Sequence, residues 1–293
     1  MRVVGFTILR NGLLMDYPFR EAILSALPLC DRFIVAVGQS EDQTLEAIQA
    51  LARTHPQIEV RQSQWDLTHR QGGMTLAVET NKVLHTLSAA DWVLYLQADE
   101  VLHEEDYAAI RTAMQRALSD ERVEGLLFDY VHFYGSYAWV GDSRRWYRRE
   151  VRIIRPRPGI QAYRDAQGFR RQGRKLRVVP AQARIFHYGW VRPPEKQAQK
   201  LQHLHRYWHD DNWIENTLRE GFTYELTQRL RPFEGTHPAV MRERIAAASW
   251  PFPYDPNRTK LPWKERWLLW IERHTGWRPA EFRNYRLLRK PYS

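Results

Sequence analysis

The first 130 residues alternate between two hydrophobic periods, and that alternation limits the fold more than any single motif. Val3-Val4-Gly5-Phe6-Thr7-Ile8-Leu9 is a nearly unbroken apolar run, as expected of a strand covered on both faces. Tyr17 to Leu27 has helical spacing, with Pro18 in the first turn, where its missing N–H costs no hydrogen bond. Phe33 to Val37, Ile58 to Val60, Trp92 to Leu96 and Gly125 to Tyr130 read as further strands. The segments between them, Ser40 to Arg53, Leu76 to Leu87 and Glu104 to Leu118, read as helices. This β-α order predicts an α/β fold: a Rossmann-like, mostly parallel sheet with helices on both faces. In open sheets of that kind a ligand lies beyond the carboxyl ends of the strands.

The pattern changes after about residue 132. Arg144 to Gly173 is basic and turn-rich, with one strand at Val151 to Ile154. From Pro194 helical patterns dominate: Glu195 to Trp208, Ile214 to Arg229, Ala239 to Ala248 and Trp263 to His274. The expected organisation is a core over 1–190 and a mainly helical extension over 191–293 packed on it.

The chain carries 44 Lys and Arg against 34 Asp and Glu, a net charge of +10. Such an excess asks for an anionic partner: a phosphorylated ligand, a nucleic acid or an anionic membrane surface. A single cysteine, Cys30, rules out a disulfide within the chain and a multi-cysteine zinc site. No apolar run approaches the roughly 20 residues of a membrane span. The N-terminal apolar stretch, broken by Arg10 and Asn11, reads as a strand and not as a secretion signal. A cytoplasmic location follows as the expectation. Trp263, Trp267 and Trp270 share one face of the last helix. An amphipathic helix normally buries such a stripe on the core, the arrangement expected here. The alternative is peripheral contact with the inner face of the membrane.

The most informative segment is Asp91-Trp92-Val93-Leu94-Tyr95-Leu96-Gln97-Ala98-Asp99-Glu100. A buried strand ends abruptly in polar and acidic residues, delivering carboxylates to the ligand crevice. Carboxylates there can hold a hard divalent cation that bridges to phosphate. Alternatively, the two acids cap the helix that begins near Glu104. The segment resembles the Asp-x-Asp region of GT-A glycosyltransferases, above all the family 2-like enzymes. Phe6 to Asn11 is similar to their first strand and its nucleotide-contacting end. Ser40-Glu41-Asp42-Gln43-Thr44 is similar to their Gly-Ser-x-Asp-Gly-Thr turn. Gln71-Gly72-Gly73 and Asn81 stand where they have a glycine turn and an Arg-Asn helix. The resemblance spans roughly residues 1–190.

The resemblance implies a metal-assisted, inverting transfer of a sugar from a UDP- or GDP-linked donor. The acceptor would be a saccharide or lipid-linked hydroxyl, as in polysaccharide biosynthesis, and nucleic acid is not expected as a partner. Donor contacts would come from Thr7, Leu9, Arg10, Asn11, Asp42, Asn81, Gln97, Ala98 and Asp99. Mn2+ or Mg2+ would lie between Asp99 and His187, in Ile185-Phe186-His187-Tyr188-Gly189-Trp190, with Gly189 allowing close backbone approach. Asp165 would be the base that deprotonates the acceptor, with Asp129, Asp142 and Glu150 as competitors. Two departures stand out. Gln97 replaces the first acid of Asp-x-Asp, and Val37-Gly38-Gln39 stands where the family has a base-binding aspartate. They leave open a catalytically degenerate scaffold that binds nucleic acid or polysaccharide. A nucleotidyltransferase ranks last, because Arg10-Asn11-Gly12-Leu13-Leu14 is not a glycine-rich phosphate loop.

Arg144, Arg145, Arg148, Arg149, Arg152, Arg155 and Arg157 are too many for one ligand. Most are expected on solvated surface, and a subset against a diphosphate or an anionic acceptor. His203, His205 and His209 stand near Asp210 and Asp211, but the histidines are expected to pack among Leu201, Leu204 and Trp208 and not to bind metal.

Overall fold

A computed structural model describes residues 1–66, 68, 71–208, 222–226, 229–258 and 262–288. His209, Asp210 and Asp211 lie outside the described residues, as does most of the helix expected over 214–229.

The chain begins β1 (Val3–Leu9), α1 (Phe19–Ala26), β2 (Arg32–Gly38), α2 (Thr44–Thr54), β3 (Ile58–Ser63), α3 (Met74–Leu84) and β4 (Trp92–Tyr95). These strands lie side by side in the order β3-β2-β1-β4, all parallel. The chain therefore steps outward from β1 to β3, then crosses back to place β4 on the other side of β1. That reversal opens a crevice at the carboxyl ends of β1 and β4.

The sheet continues with β5 (Glu100–Leu102), α4 (Tyr107–Leu118), β6 (Gly125–Tyr134), β7 (Ser136–Gly141) and β8 (Arg149–Ile154). β8 lies antiparallel between β4 and β6, so β6 points the same way as β4. A small separate sheet of β9 (Ile160–Tyr163), β10 (Gly168–Arg171) and β11 (Arg174–Lys175) follows. β12 (Arg177–Trp190) then runs 14 residues beside β6, with β5 on its other edge. Pro180 hides β12 from a sequence reading. It falls where the register to β6 slips, a position in a sheet that tolerates the missing donor.

Period-two alternation sends side chains to two cores. Phe33, Val35 and Trp92 join Ile23, Ile48 and Met114, from α1, α2 and α4, on one face. Phe6, Ile34 and Tyr95 meet Ala77 and Leu84 of α3 on the other, where Phe169 of the small sheet completes the cover. Helices thus cover both faces, but β9 to β11 share one of them.

The later chain comprises α5 (Pro194–His205), β13 (Leu230–Pro232), α6 (Arg242–Ala246), α7 (Trp263–Thr275) and β14 (Arg286–Leu287). β13 adds to β7 and β14 to β12, so this part of the chain extends the sheet as well as covering it. The arginine run is not a solvated patch. Arg144 and Arg148 reach Glu272 of α7 at 3.0 and 3.4 Å, and Arg148 also binds Glu281 at 2.9 Å. Arg149 pairs with Asp129 and Arg152 with Glu100. These acids are far away in sequence, which is why the run looked unpartnered.

The tryptophan stripe also departs from expectation. α7 turns Leu269 inward and leaves Trp263, Trp267 and Trp270 at 76%, 59% and 54% exposure. Among the described residues no helix is long and apolar enough to cross a membrane.

Candidate active site

A cavity of about 280 Å³ opens at the carboxyl ends of β1 and β4, at the crevice the topology predicts. Leu9 and Arg10 enter it from β1, and Gln97, Ala98 and Asp99 from the turn after β4. Asp165 and Gln167 come from the β9–β10 turn, His187 and Gly189 from the end of β12. α5 closes one side with Gln197, Lys200, Leu201 and Leu204, the i, i+3, i+4, i+7 face of a helix.

The turn after β4 is anchored by Glu100, which is fully buried. Its carboxylate accepts from Arg152 Nε at 2.7 Å and Nη2 at 2.8 Å, from Tyr130 OH at 2.7 Å and from Gln97 N at 3.1 Å. Glu100 therefore belongs to the scaffold and does not face the cavity. Neither acid caps the next helix: His103 does that, its Nδ1 accepting from Glu105 N.

Asp99, held by that turn, meets two groups. Lys200 Nζ donates to its Oδ2 at 3.1 Å, and His187 Nε2 stands 3.8 Å from its Oδ1. Lys200 also donates to the Gly189 carbonyl at 2.8 Å and lies 4.7 Å from the centre of the Tyr17 ring. Burial pushes the Asp99 carboxyl up, but Lys200, His187 and Arg192 outweigh it and hold the group at about 2. Burial and then Arg192 bring Lys200 down to about 7, against the pull of Asp99. Gly189 is needed here, because a Cβ on it would stand 2.6 Å from His187 Nε2 and 2.8 Å from Asp99 Oδ2.

The proton positions on the histidines follow from a fixed end point. His132 Nε2 lies 2.8 Å from the Tyr147 carbonyl, which only accepts, so this nitrogen carries the proton. His132 Nδ1 then accepts from His187 Nδ1 at 3.0 Å. The His187 Nε2 lone pair is left facing Asp99. Burial holds both rings below the ordinary histidine range, so they are neutral near pH 7.

One carboxylate and one imidazole lone pair make a thin donor set for Mn2+ or Mg2+. Among the described residues no group of three or more His, Cys, Asp or Glu side chains converges. The ammonium at Asp99 opposes a second cation more directly. A dication about 4 Å from it would be repelled by roughly 8 kcal/mol at an effective dielectric constant of about 20. The residues present do not fit the expected metal, although Asp99 and His187 are neighbours.

The other expected donor contacts divide in two. Leu9, Arg10, Gln97, Ala98 and Asp99 line the cavity; Thr7, Asn11, Asp42 and Asn81 do not. Thr7 is buried within the sheet. Asn11, at a positive φ of 53°, accepts from Glu41 N and ties the end of β1 to the loop after β2. Asp42 is consumed by Leu14 N at 2.7 Å and by the Thr44 amide and hydroxyl. Asn81 clamps β9 through the Ala162 amide at 2.7 Å. Asn11 and Asp42 pair with backbone at turns and Asn81 ties α3 to β9, roles their motif positions do not reveal.

Asp165 lines the cavity between two positive-φ residues, Arg164 and Ala166, and accepts from Gln167 N at 3.3 Å. Among the described residues no arginine bridges to it. Its competitors are elsewhere: Asp129 pairs with Arg149, Asp142 with Arg229 and Arg273, and Glu150 with Asn284. Sequence reasoning missed Lys200, Gln197 and the aromatic wall of Trp65 and Tyr207, whose rings are 5.6 Å apart. The signal for Lys200 was its position in the apolar stripe of α5, beside Leu201 and Leu204.

No protein-family model matches the chain, and no curated protein matches it significantly. Several solved structures are similar over part of it. TarS from S. aureus aligns over 70% of this chain and 39% of its own, at 12% identity and a TM-score of 0.35. A mannosyltransferase from Pyrobaculum calidifontis, solved with GDP-Man and Mn2+, aligns over 45% of this chain and 36% of its own, at 21% identity and a TM-score of 0.32. Glucosyl-3-phosphoglycerate synthase from Mycobacterium tuberculosis, solved with Mn2+, UDP and phosphoglyceric acid, aligns over 45% and 43%, at 18% identity and a TM-score of 0.30. The chain thus spans well under half of each of these three proteins.

Proposed function

We propose that the chain is a family 2-like GT-A glycosyltransferase. It would move a sugar, with inversion, from a UDP- or GDP-linked donor to a hydroxyl of a saccharide or lipid-linked acceptor. The observation that carries this reading is the cavity at the β1/β4 crevice. Among its described lining residues the only carboxylates are Asp99 and Asp165, from different sheets. Asp99 lies at the end of the strand whose sequence resembles the donor motif. Trp65 and Tyr207 offer the rings on which a nucleotide base stacks. The acceptor oxygen attacks the anomeric carbon and its proton passes to Asp165. The bond from that carbon to the diphosphate oxygen breaks, and the electron pair leaves with the nucleoside diphosphate. The core over 1–190 would supply the donor side, and the extension over 191–293 the closing helix α5.

The exposed Trp263, Trp267 and Trp270, with Lys264, Arg266 and Arg273 exposed on the same helix, support docking on an anionic lipid surface. That would bring the site to a lipid-linked acceptor at the inner face of the membrane.

The test is transfer by Asp165→Asn with the nucleotide sugar that binds in calorimetry. General-base catalysis contributes typically 10²- to 10⁴-fold. The variant should lose at least 100-fold in kcat with donor affinity unchanged. Full activity would remove Asp165 from the role. Absence of any nucleotide binding would favour the scaffold reading.

A further inference from the structure

We infer that the Lys200 ammonium is the resident cation of this site and takes the place of a divalent metal at the donor diphosphate. The inference rests on the nucleotide-sugar reading above. Three observations carry it. Lys200 is 6% exposed, yet it lines the cavity. Two of its three N–H donors go to Asp99 Oδ2 and the Gly189 carbonyl, which leaves the third for a ligand. Its neighbours are also short of acceptors. Arg192, fully buried and not itself part of the cavity lining, gives Nη1 to the Met15 carbonyl, while its Nε and Nη2 have no partner and its charge adds to that of Lys200. Gln197, 1% exposed and one turn before Lys200, lines the cavity with both amide atoms unpartnered. Unsatisfied buried donors beside an excess of positive charge describe a seat for an anion with several oxygens.

The chemistry closes without a metal. The bond between the anomeric carbon and the diphosphate oxygen breaks, and the electron pair stays on that oxygen. The Lys200 ammonium donates a hydrogen bond to the charge that develops there, and the acceptor proton goes to Asp165. Nothing is oxidised or reduced. Asp99 becomes a positioning residue, acting through the lysine it holds.

Calorimetric titration of UDP and GDP in EDTA, and again in 1 mM Mn2+, tests this on wild type and Lys200→Met. Wild type should bind one nucleotide with affinities within about threefold in the two conditions. Lys200→Met should bind it at least tenfold more weakly in EDTA, with an unchanged fold by circular dichroism. If that variant does not fold, Lys200→Met with Asp99→Asn, which leaves no unpaired charge, is read in its place. Wild-type binding at least tenfold tighter with Mn2+ overturns the inference. So does a Lys200 variant that binds like wild type, and in that case the nucleotide-sugar reading survives. Binding of neither nucleotide in either condition overturns that reading, and the inference with it.

Discussion

Glu100→Gln removes one charge from the scaffold behind the site, and its cost can be worked out. Each carboxylate oxygen of Glu100 serves two donors: Oε1 takes Arg152 Nη2 and Tyr130 OH, and Oε2 takes Arg152 Nε and Gln97 N. A glutamine presents one oxygen and one NH2. With the NH2 at the Oε1 position, Tyr130 can turn its hydroxyl to accept, but Arg152 Nη2 is left facing a donor. The opposite flip orphans Arg152 Nε and Gln97 N together. In either case a guanidinium with no solvent exposure loses its counter-ion. Breaking a buried pair from one side costs about 3–5 kcal/mol. That is a large share of the roughly 5–15 kcal/mol that keeps a domain folded. In a chain of this size it lowers the melting temperature by roughly 5–8 °C. Urea unfolding followed by circular dichroism measures it, with Arg152→Met and the double variant completing a cycle. The double variant should cost at least 1 kcal/mol less than the sum of the singles, since neither charge is then stranded. A Glu100→Gln protein within 1 kcal/mol of wild type would refute the anchoring role.

Glu150 gives a pH dependence of unusual sign. Burial, opposed by Arg152 and Asn284, lifts its carboxyl to about 7 from an ordinary 4.5. The folded state therefore binds more protons between those values. This contribution is full below about 4.5 and is lost as pH rises to about 7. Glu150→Gln should remove the loss and be more stable than wild type at pH 8 by roughly 2–3 kcal/mol, but not at pH 4.5. Stability-against-pH curves from urea unfolding that run parallel for the two proteins would contradict it. Gly189→Ala should cost about 1–3 kcal/mol by overpacking and weaken nucleotide binding, because the new methyl collides with His187 and Asp99. Calorimetry and thermal melting read both effects, and unchanged affinity would show that the close approach is dispensable. Trp267→Ser with Trp270→Ser should cut co-sedimentation with anionic vesicles at least fivefold and leave thermal stability unchanged. Equal pelleting of both proteins, or none by either, ends the membrane reading.

β1, β2 and β4 were legible because each is buried on both faces and flanked by a helix, so local hydrophobicity reports tertiary position directly. β12 was not: alternate exposure, Pro180 and Arg184 interrupt its apolar pattern, and its partner β6 lies some fifty residues away. The same divide runs through the site. Asp99, His187 and Asp165, expected from strand ends and motif order, all line one cavity. Asp42, Asn11 and Asn81 do not line it; each bonds a backbone amide 28 or more residues away in sequence, a partner its own segment does not encode. The acids that neutralise Arg144 and Arg148 are more than 120 residues downstream for the same reason.

Gln97 and Lys200 then read as two halves of one change in charge. Two carboxylates around a dication sum to zero. One carboxylate around one ammonium also sums to zero. With Gln97 in the first acidic position, Asp99 alone would leave a bound dication half neutralised, whereas the protonated form of Lys200 balances Asp99 at 3.1 Å. The glutamine, read in isolation, suggests a site that has decayed. Read with Lys200 and Gln197 buried against the same cavity, it fits the proposed site, in which an ammonium takes the place of a dication. A decayed site has no reason to keep a lysine out of water, nor to keep two buried side chains, Arg192 and Gln197, with polar atoms unsatisfied. Retention of those groups separates the enzyme from the scaffold, and nucleotide affinity in EDTA is where the two diverge.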